Sequence, residues 1–150
     1  MTRDHCILLV EDNPDDAMLI ERAIRKANLS APLYKVEDGQ AAVDYLSGTG
    51  VYADRVQHPL PTLILLDIKL PKRSGLEVLQ WIRSVPQLAR LVVVMLTSSR
   101  EHKDIDQAYA RGANSYLVKP IGPTQMLDLV KTLGLYWLRY NEPPAAAPAR

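Results

Sequence analysis

Residues 62–67 read Thr-Leu-Ile-Leu-Leu-Asp, an apolar run that stops abruptly on an acid. Four aliphatic residues without polar alternation have the pattern of a strand covered on both faces. Such strands belong to parallel sheets sandwiched between helices. LVVVML at 91–96 repeats the pattern, and CILLV (6–10), LYKVE (33–37) and SYLVK (115–119) supply three more strands. Helical patterns fill the gaps. The first has Pro14 near its first turn and apolar residues at Met18, Ile20, Ala23, Ile24 and Ala27. QAAVDYL (40–46) follows Gly39, GLEVLQWIR (75–83) carries Trp81 as a packing residue, and Gly112 stops DIDQAYARG. TQMLDLVKTLGLYWLRY (124–140) reads as one last helix. Five repeats of strand then helix predict an α/β fold, a doubly wound five-stranded parallel sheet with helices on both faces.

Two stretches break the rhythm. Residues 48–61, GTGVYADRVQHPLP, form a long helix-to-strand connection, and NEPPAAAPAR (141–150) reads as an extended or disordered tail. The expected organisation is therefore one domain over 1–140 and a tail over 141–150, with no second domain. The 150 residues suffice for a core without staples. A net charge of +1 with no Lys/Arg run leaves no electrostatic footprint for nucleic acid. No long apolar span or signal-like N-terminus suggests a membrane or export, so a cytoplasmic protein is expected. Cys6 is the lone cysteine and reads as a small core residue. His5, His58 and His102 lack metal-ligand spacing and read as solvent or loop residues.

In an open parallel sheet, function gathers at the carboxyl ends of the strands. The first strand ends in Glu11 and Asp12, the third in Asp67, the fourth in Thr97, Ser98 and Ser99, and the fifth in Lys119 and Pro120. If strand order reverses between the first and third strands, three carboxylates meet there. Two unit charges about 4 Å apart repel by roughly 4 kcal/mol at an effective dielectric of 20. Such a cluster calls for a cation, and carboxylates with a backbone carbonyl and waters suit Mg²⁺. A neighbouring lysine offsets further charge, and a hydroxyl with free N–H groups can hold phosphoryl oxygens. A carboxylate beside the ion can itself attack phosphorus. Asp15 and Asp16 are read differently, as acids that favour a helix N-terminus, with Asp12 available as an N-cap.

LLVEDNPDD, LLDIKLPKRSGLEVL, VVVMLTSS and GANSYLVKP, in that order, resemble the receiver domain of bacterial two-component response regulators. The resemblance implies a flavodoxin-like sheet of order 2-1-3-4-5. It implies Asp67 as phosphoacceptor for a histidine kinase and as a Mg²⁺ ligand, Asp12 as a direct Mg²⁺ ligand, Glu11 as a ligand through water, and the Lys69 backbone carbonyl as a further ligand. Lys119 would pair with phosphoryl oxygens, Thr97 and Ser98 would contact them, and Tyr116 would follow Thr97 inward as a switch. Ser98, Ser99 and Lys69 occupy positions that tune phosphoryl lifetime. Lys119–Pro120 resembles the family's cis peptide.

Without an output domain, signalling would pass through a partner protein or onward phosphotransfer. Met126, Val130, Leu133 and Trp137 form one apolar stripe of the last helix, expected in the core. Leu127, Leu135 and Leu138 form a second, expected to make a homodimer surface. The long loop and GLYWLRYNEPP are similar to single-domain regulators that serve phytochrome-type histidine kinases. Three other readings compete. A haloacid dehalogenase-like phosphatase wants an acid two residues after its nucleophile, where this chain has Lys69. A flavodoxin-type cofactor binder wants a phosphate-cradling loop where EDNPDD stands. A pseudo-receiver would bind partners without phosphate, against which the intact acids, Thr97 and Lys119 argue.

Overall fold

A computed structural model describes residues 5–144. Its strands are β1 (Ile7–Val10), β2 (Leu33–Val36), β3 (Leu63–Leu66), β4 (Val92–Thr97) and β5 (Ser115–Val118). Its α-helices are α1 (Pro14–Lys26), α2 (Gly39–Ser47), α3 (Gly75–Ser84), α4 (His102–Ala110) and α5 (Pro123–Leu133). All strand pairs are parallel, in the order β2-β1-β3-β4-β5. The chain leaves β1 toward β2 on one side and returns to β3 on the other, so the reversal falls between β1 and β3.

Strand periodicity divides the core in two. Leu8, Val10, Ile64, Leu66, Val93 and Met95 point to the face covered by α2, α3 and α4. Ile7, Leu9, Leu63, Leu65, Val94 and Leu96 point to the face covered by α1 and α5. Because both faces are covered, β1, β3 and β4 are buried throughout, which is why they read as unbroken apolar runs. Trp81 packs against the first cluster, and Cys6 is buried. Burial raises the Cys6 thiol above its ordinary pKa.

Several expectations are corrected. Asn13, not Asp12, is the N-cap of α1: its side chain accepts the N–H groups of Asp15 and Asp16 at 2.9 and 3.1 Å. Its amide-bearing side chain wins because it stands one residue before Pro14, which takes the first helical position. Met18 faces solvent, since the buried stripe of α1 runs through Ala17, Ile20, Ala23 and Ile24. The last helix is not uniform: α5 ends at Leu133, and Gly134–Tyr140 continue as a π-helix. The wider turn brings Trp137 and Leu138 together against the α1/α5 core, so Leu138 belongs partly to the body rather than to a free stripe. Leu135 remains exposed. Lys119–Pro120 is trans, like every peptide bond among the described residues, which is the lower-energy form of an X–Pro bond by about 0.5–1 kcal/mol. Residues 141–144 have no regular structure, and the rest of the expected tail lies outside the described residues.

The 48–61 connection is ordered from within. It holds a single 3₁₀ turn, Gly50–Tyr52. The Arg55 guanidinium donates to the carbonyls of Tyr45, Leu46 and His58, capping the C-terminus of α2. Tyr45 is buried and its hydroxyl donates to the Pro59 carbonyl at 2.8 Å. Tyr34, Tyr45 and Tyr52 surround His58, which is therefore packed among aromatic rings rather than solvated.

Candidate functional site

Register assembles the site. Val10 pairs with Leu66, Leu66 with Met95, and Thr97 with Val118. The next residues along β1, β3 and β5 are Glu11, Asp67 and Lys119, so they emerge side by side at the carboxyl edge. Asp67, Glu11 and Thr97 are the buried polar residues of the described chain. One carboxylate oxygen each from Glu11, Asp12 and Asp67 lies within 4.8 Å of the others.

Lys119 anchors the cluster. Its ammonium lies 2.5 Å from Glu11 Oε1, 2.9 Å from Asp67 Oδ2 and 2.9 Å from Asp16 Oδ2. The second oxygens of Asp67 and Glu11 are held by backbone: the Ile68 N–H donates to Asp67 Oδ1 at 2.7 Å, and the Asn13 N–H to Glu11 Oε2 at 3.1 Å. Burial lowers the Lys119 pKa, but bonds to Asp67, Glu11 and Asp16 outweigh it and hold the ammonium above its ordinary value. Burial pushes the Glu11 carboxyl well above the ordinary carboxylate range, against the pull of Lys119 and the Asn13 N–H. Asp12 is exposed and opens the cluster to solvent.

The acceptor loop is closed by close approach. The Gly75 N–H donates to the Ile68 carbonyl at 2.8 Å, and a Cβ on Gly75 would strike the Asp67 carbonyl oxygen. Only glycine lets α3 start this near Asp67. Lys69 is exposed in the bend after Asp67.

The β4–β5 side carries the hydroxyls. Thr97 is buried, Ser98 is exposed, and the Thr97 carbonyl accepts the Lys119 N–H at 2.8 Å. Tyr116 is half-buried against the α2/α3/α4 core, and its hydroxyl donates to the Ser99 carbonyl at 2.9 Å. Burial raises its pKa. Ser99 Oγ donates to Asp104 at 2.6 Å, tying the β4–α4 turn to α4. Glu11, Asp12, Asp67, Lys69, Thr97, Ser98 and Lys119 therefore gather at one edge of the sheet, with Tyr116 on β5 three residues before Lys119.

Sequence reasoning missed Asp16. Assigned to the helix dipole, it instead also reaches Lys119. No signal in the sequence separates it from Asp15 beside it. It missed the Ser99–Asp104 bond as well, which nothing in the sequence distinguishes from ordinary loop polarity.

An acid pair, a facing aspartate, a buried threonine and a lysine on this sheet define a response regulator receiver domain. The chain belongs to that family, whose profile matches residues 7–131. It is 40% identical over 144 residues to a probable methanogenesis regulatory protein, FilR2, of Methanothrix harundinacea, covering 94% of this chain and 88% of that one. It is 36% identical over 140 residues to the response regulator Rcp1 of Synechocystis, covering 93% of each. The Mn²⁺-bound form of Rcp1 superposes with a TM-score of 0.84 at 35% identity, over 94% of this chain and 99% of that one. The phosphorylated cyanobacterial phytochrome response regulator RcpA superposes with a TM-score of 0.88 at 37% identity, over 95% of this chain and 100% of that one. No helix among the described residues is long and apolar enough to cross a membrane.

Proposed function

We propose that the chain accepts a phosphoryl group on Asp67 from the phosphohistidine of a histidine kinase and signals through protein contacts that depend on it. The observation that carries this reading is the Asp67 carboxylate, held by the Ile68 N–H and Lys119 beside two further acids. An Asp67 oxygen attacks phosphorus, a P–O bond forms, and the P–N bond to the donor imidazole breaks. Oxygen donors of Glu11, Asp12 and Asp67 so close together fit a hard divalent cation, which we take to be Mg²⁺ and which these three acids and the Lys69 backbone carbonyl would hold. Such an ion neutralises charge on the carboxylates and the transferring group. Lys119 then pairs with a phosphoryl oxygen, and the Thr97 hydroxyl and Ser98 supply further bonds. Movement of Thr97 is passed to Tyr116 through the Ser99 carbonyl that both segments share. The chain assists its own phosphorylation and dephosphorylation rather than turning over external esters; an exposed Lys69 in place of a second acid supports that.

The receiver body spans residues 1–140 in this reading. The kinase is phytochrome-type, supported by the likeness to Rcp1 and RcpA, and the protein acts in the cytoplasm. The exposed Leu135, Tyr136 and Tyr140 support a homodimer through the C-terminal helical region, with a downstream protein or phosphotransfer partner receiving the signal.

Intact mass after incubation with acetyl phosphate tests the central step. A gain of one phosphoryl group that needs Mg²⁺ and is absent from Asp67→Asn is expected. Loss of both features would return the chain to phosphate-independent binding. Transfer from several purified kinases tests the partner, since FilR2 bears a name unrelated to light. Faster transfer from a phytochrome-type kinase is expected, and equal transfer from all would remove the assignment.

A further inference from the structure

An ammonium has three N–H donors. In this molecule all three are spoken for, by Glu11, Asp67 and Asp16. A phosphoryl oxygen that is to pair with Lys119 must displace one of them. The three partners differ in what they lose. The Glu11 and Asp67 side chains are 1% and 9% exposed, whereas Asp16 is 39% exposed. A buried carboxylate stripped of its cation is left uncompensated, while a half-exposed one is taken back by water. Asp16 also lies in the first turn of α1, where the helix N-terminus favours its charge without Lys119. Glu11 is further fixed by the Asn13 N–H, and Asp67 by the Ile68 N–H.

We propose that Asp16 is a positioning residue: it holds the Lys119 ammonium over the acceptor in the resting protein and yields that place to the incoming phosphoryl group. The inference rests on the receiver reading above. Asp16 thus acts as a competitor. Its contact keeps Lys119 aimed at Asp67 before transfer, and it opposes the phosphoryl group afterwards by claiming the same donor. Asp15 is the natural control. It carries the same charge on the same turn, is exposed, and makes no contact with Lys119.

The test is calorimetric titration of beryllofluoride, a phosphoryl mimic, at saturating Mg²⁺, with Mg²⁺ affinity measured separately for each protein. Wild type, Asp16→Asn, Asp15→Asn and Asp16→Glu are compared, and melting temperatures confirm folding. Asp16→Asn should bind the mimic about threefold more tightly than wild type, the size expected of one partly exposed ion pair. Asp16→Glu should return toward wild type, and Asp15→Asn should stay near it. Equal tightening in both Asn variants would overturn the proposal in favour of general charge repulsion. Unchanged or weaker binding in Asp16→Asn would overturn it outright. A wild type that neither binds the mimic nor gains mass from acetyl phosphate would bring down the receiver reading itself.

Discussion

The centre of the sheet and its β5 edge are built to different standards. β1 and β3, which carry Glu11 and Asp67, are buried on both faces along their whole length. β5 is only half-buried at every position, and the α4 helix beside it buries Ala108 alone. The acids are thus mounted on the best-packed part of the molecule. Tyr116, which would report on them, stands on this half-buried edge strand, and Lys119 directly follows the strand. Chemistry that needs fixed distances sits where strands cannot shift, and response sits where a shift costs little.

Paired truncations sharpen that contrast most. Leu65→Ala in β3 should cost about 4 kcal/mol by urea unfolding, because the site cannot collapse around the cavity. Leu117→Ala in β5 should cost about 1 kcal/mol, as a half-buried side chain removes less apolar area from water. Similar losses at both would break the comparison. Lys119→Ala comes next. It strips the buried Glu11 and Asp67 of their cation and should cost about 3 kcal/mol in metal-free protein. Mg²⁺ binding should survive by titration, while phosphorylation should no longer change hydrogen exchange in α4 and β5. A full wild-type response in the variant would show that the signal leaves by another route. Tyr116→Phe removes only the bond to the Ser99 carbonyl, so it should cost about 1 kcal/mol or less and speed amide exchange in the β4–α4 turn.

The smallest effect concerns pH. Burial raises the Glu11 carboxyl in the folded chain above its unfolded value. The folded state therefore holds a proton that the unfolded state releases. The stability this contributes is complete below the unfolded pKa and disappears as pH rises through the folded one. In metal-free protein, melting temperature should fall for wild type relative to Glu11→Gln between about pH 5 and 8. A difference that grows in the opposite sense would mean that Lys119, not burial, sets the state of Glu11.

Most of this architecture can be read from residue order. Unbroken apolar runs at 63–66 and 92–96 announce strands covered on both faces, and the acid and hydroxyl residues that stop them, Asp67 and Thr97, announce an edge with chemistry. Register then does the rest, since pairing Val10 with Leu66 leaves Glu11 and Asp67 nowhere else to go. What stays hidden is of two kinds. Asp16 has two uses at once, a helix N-terminus and a lysine partner, and propensity reveals only the first. The π-helix at Gly134–Tyr140 differs from an α-helix by one residue per hydrogen-bonded ring, too little for an apolar pattern to register. Its first residue, Gly134, lies so close to Leu29 that a Cβ there would collide with it.

Arg55 has one more effect. By joining the end of α2 to His58 near the far side of the 48–61 segment, it turns a fourteen-residue connection into shorter spans of backbone free to unravel. A protease needs an extended run of pliant, exposed residues to fit its cleft. This segment offers only shorter ones, so its length on paper and its vulnerability to nicking part company, and replacing Arg55 would restore the one to match the other.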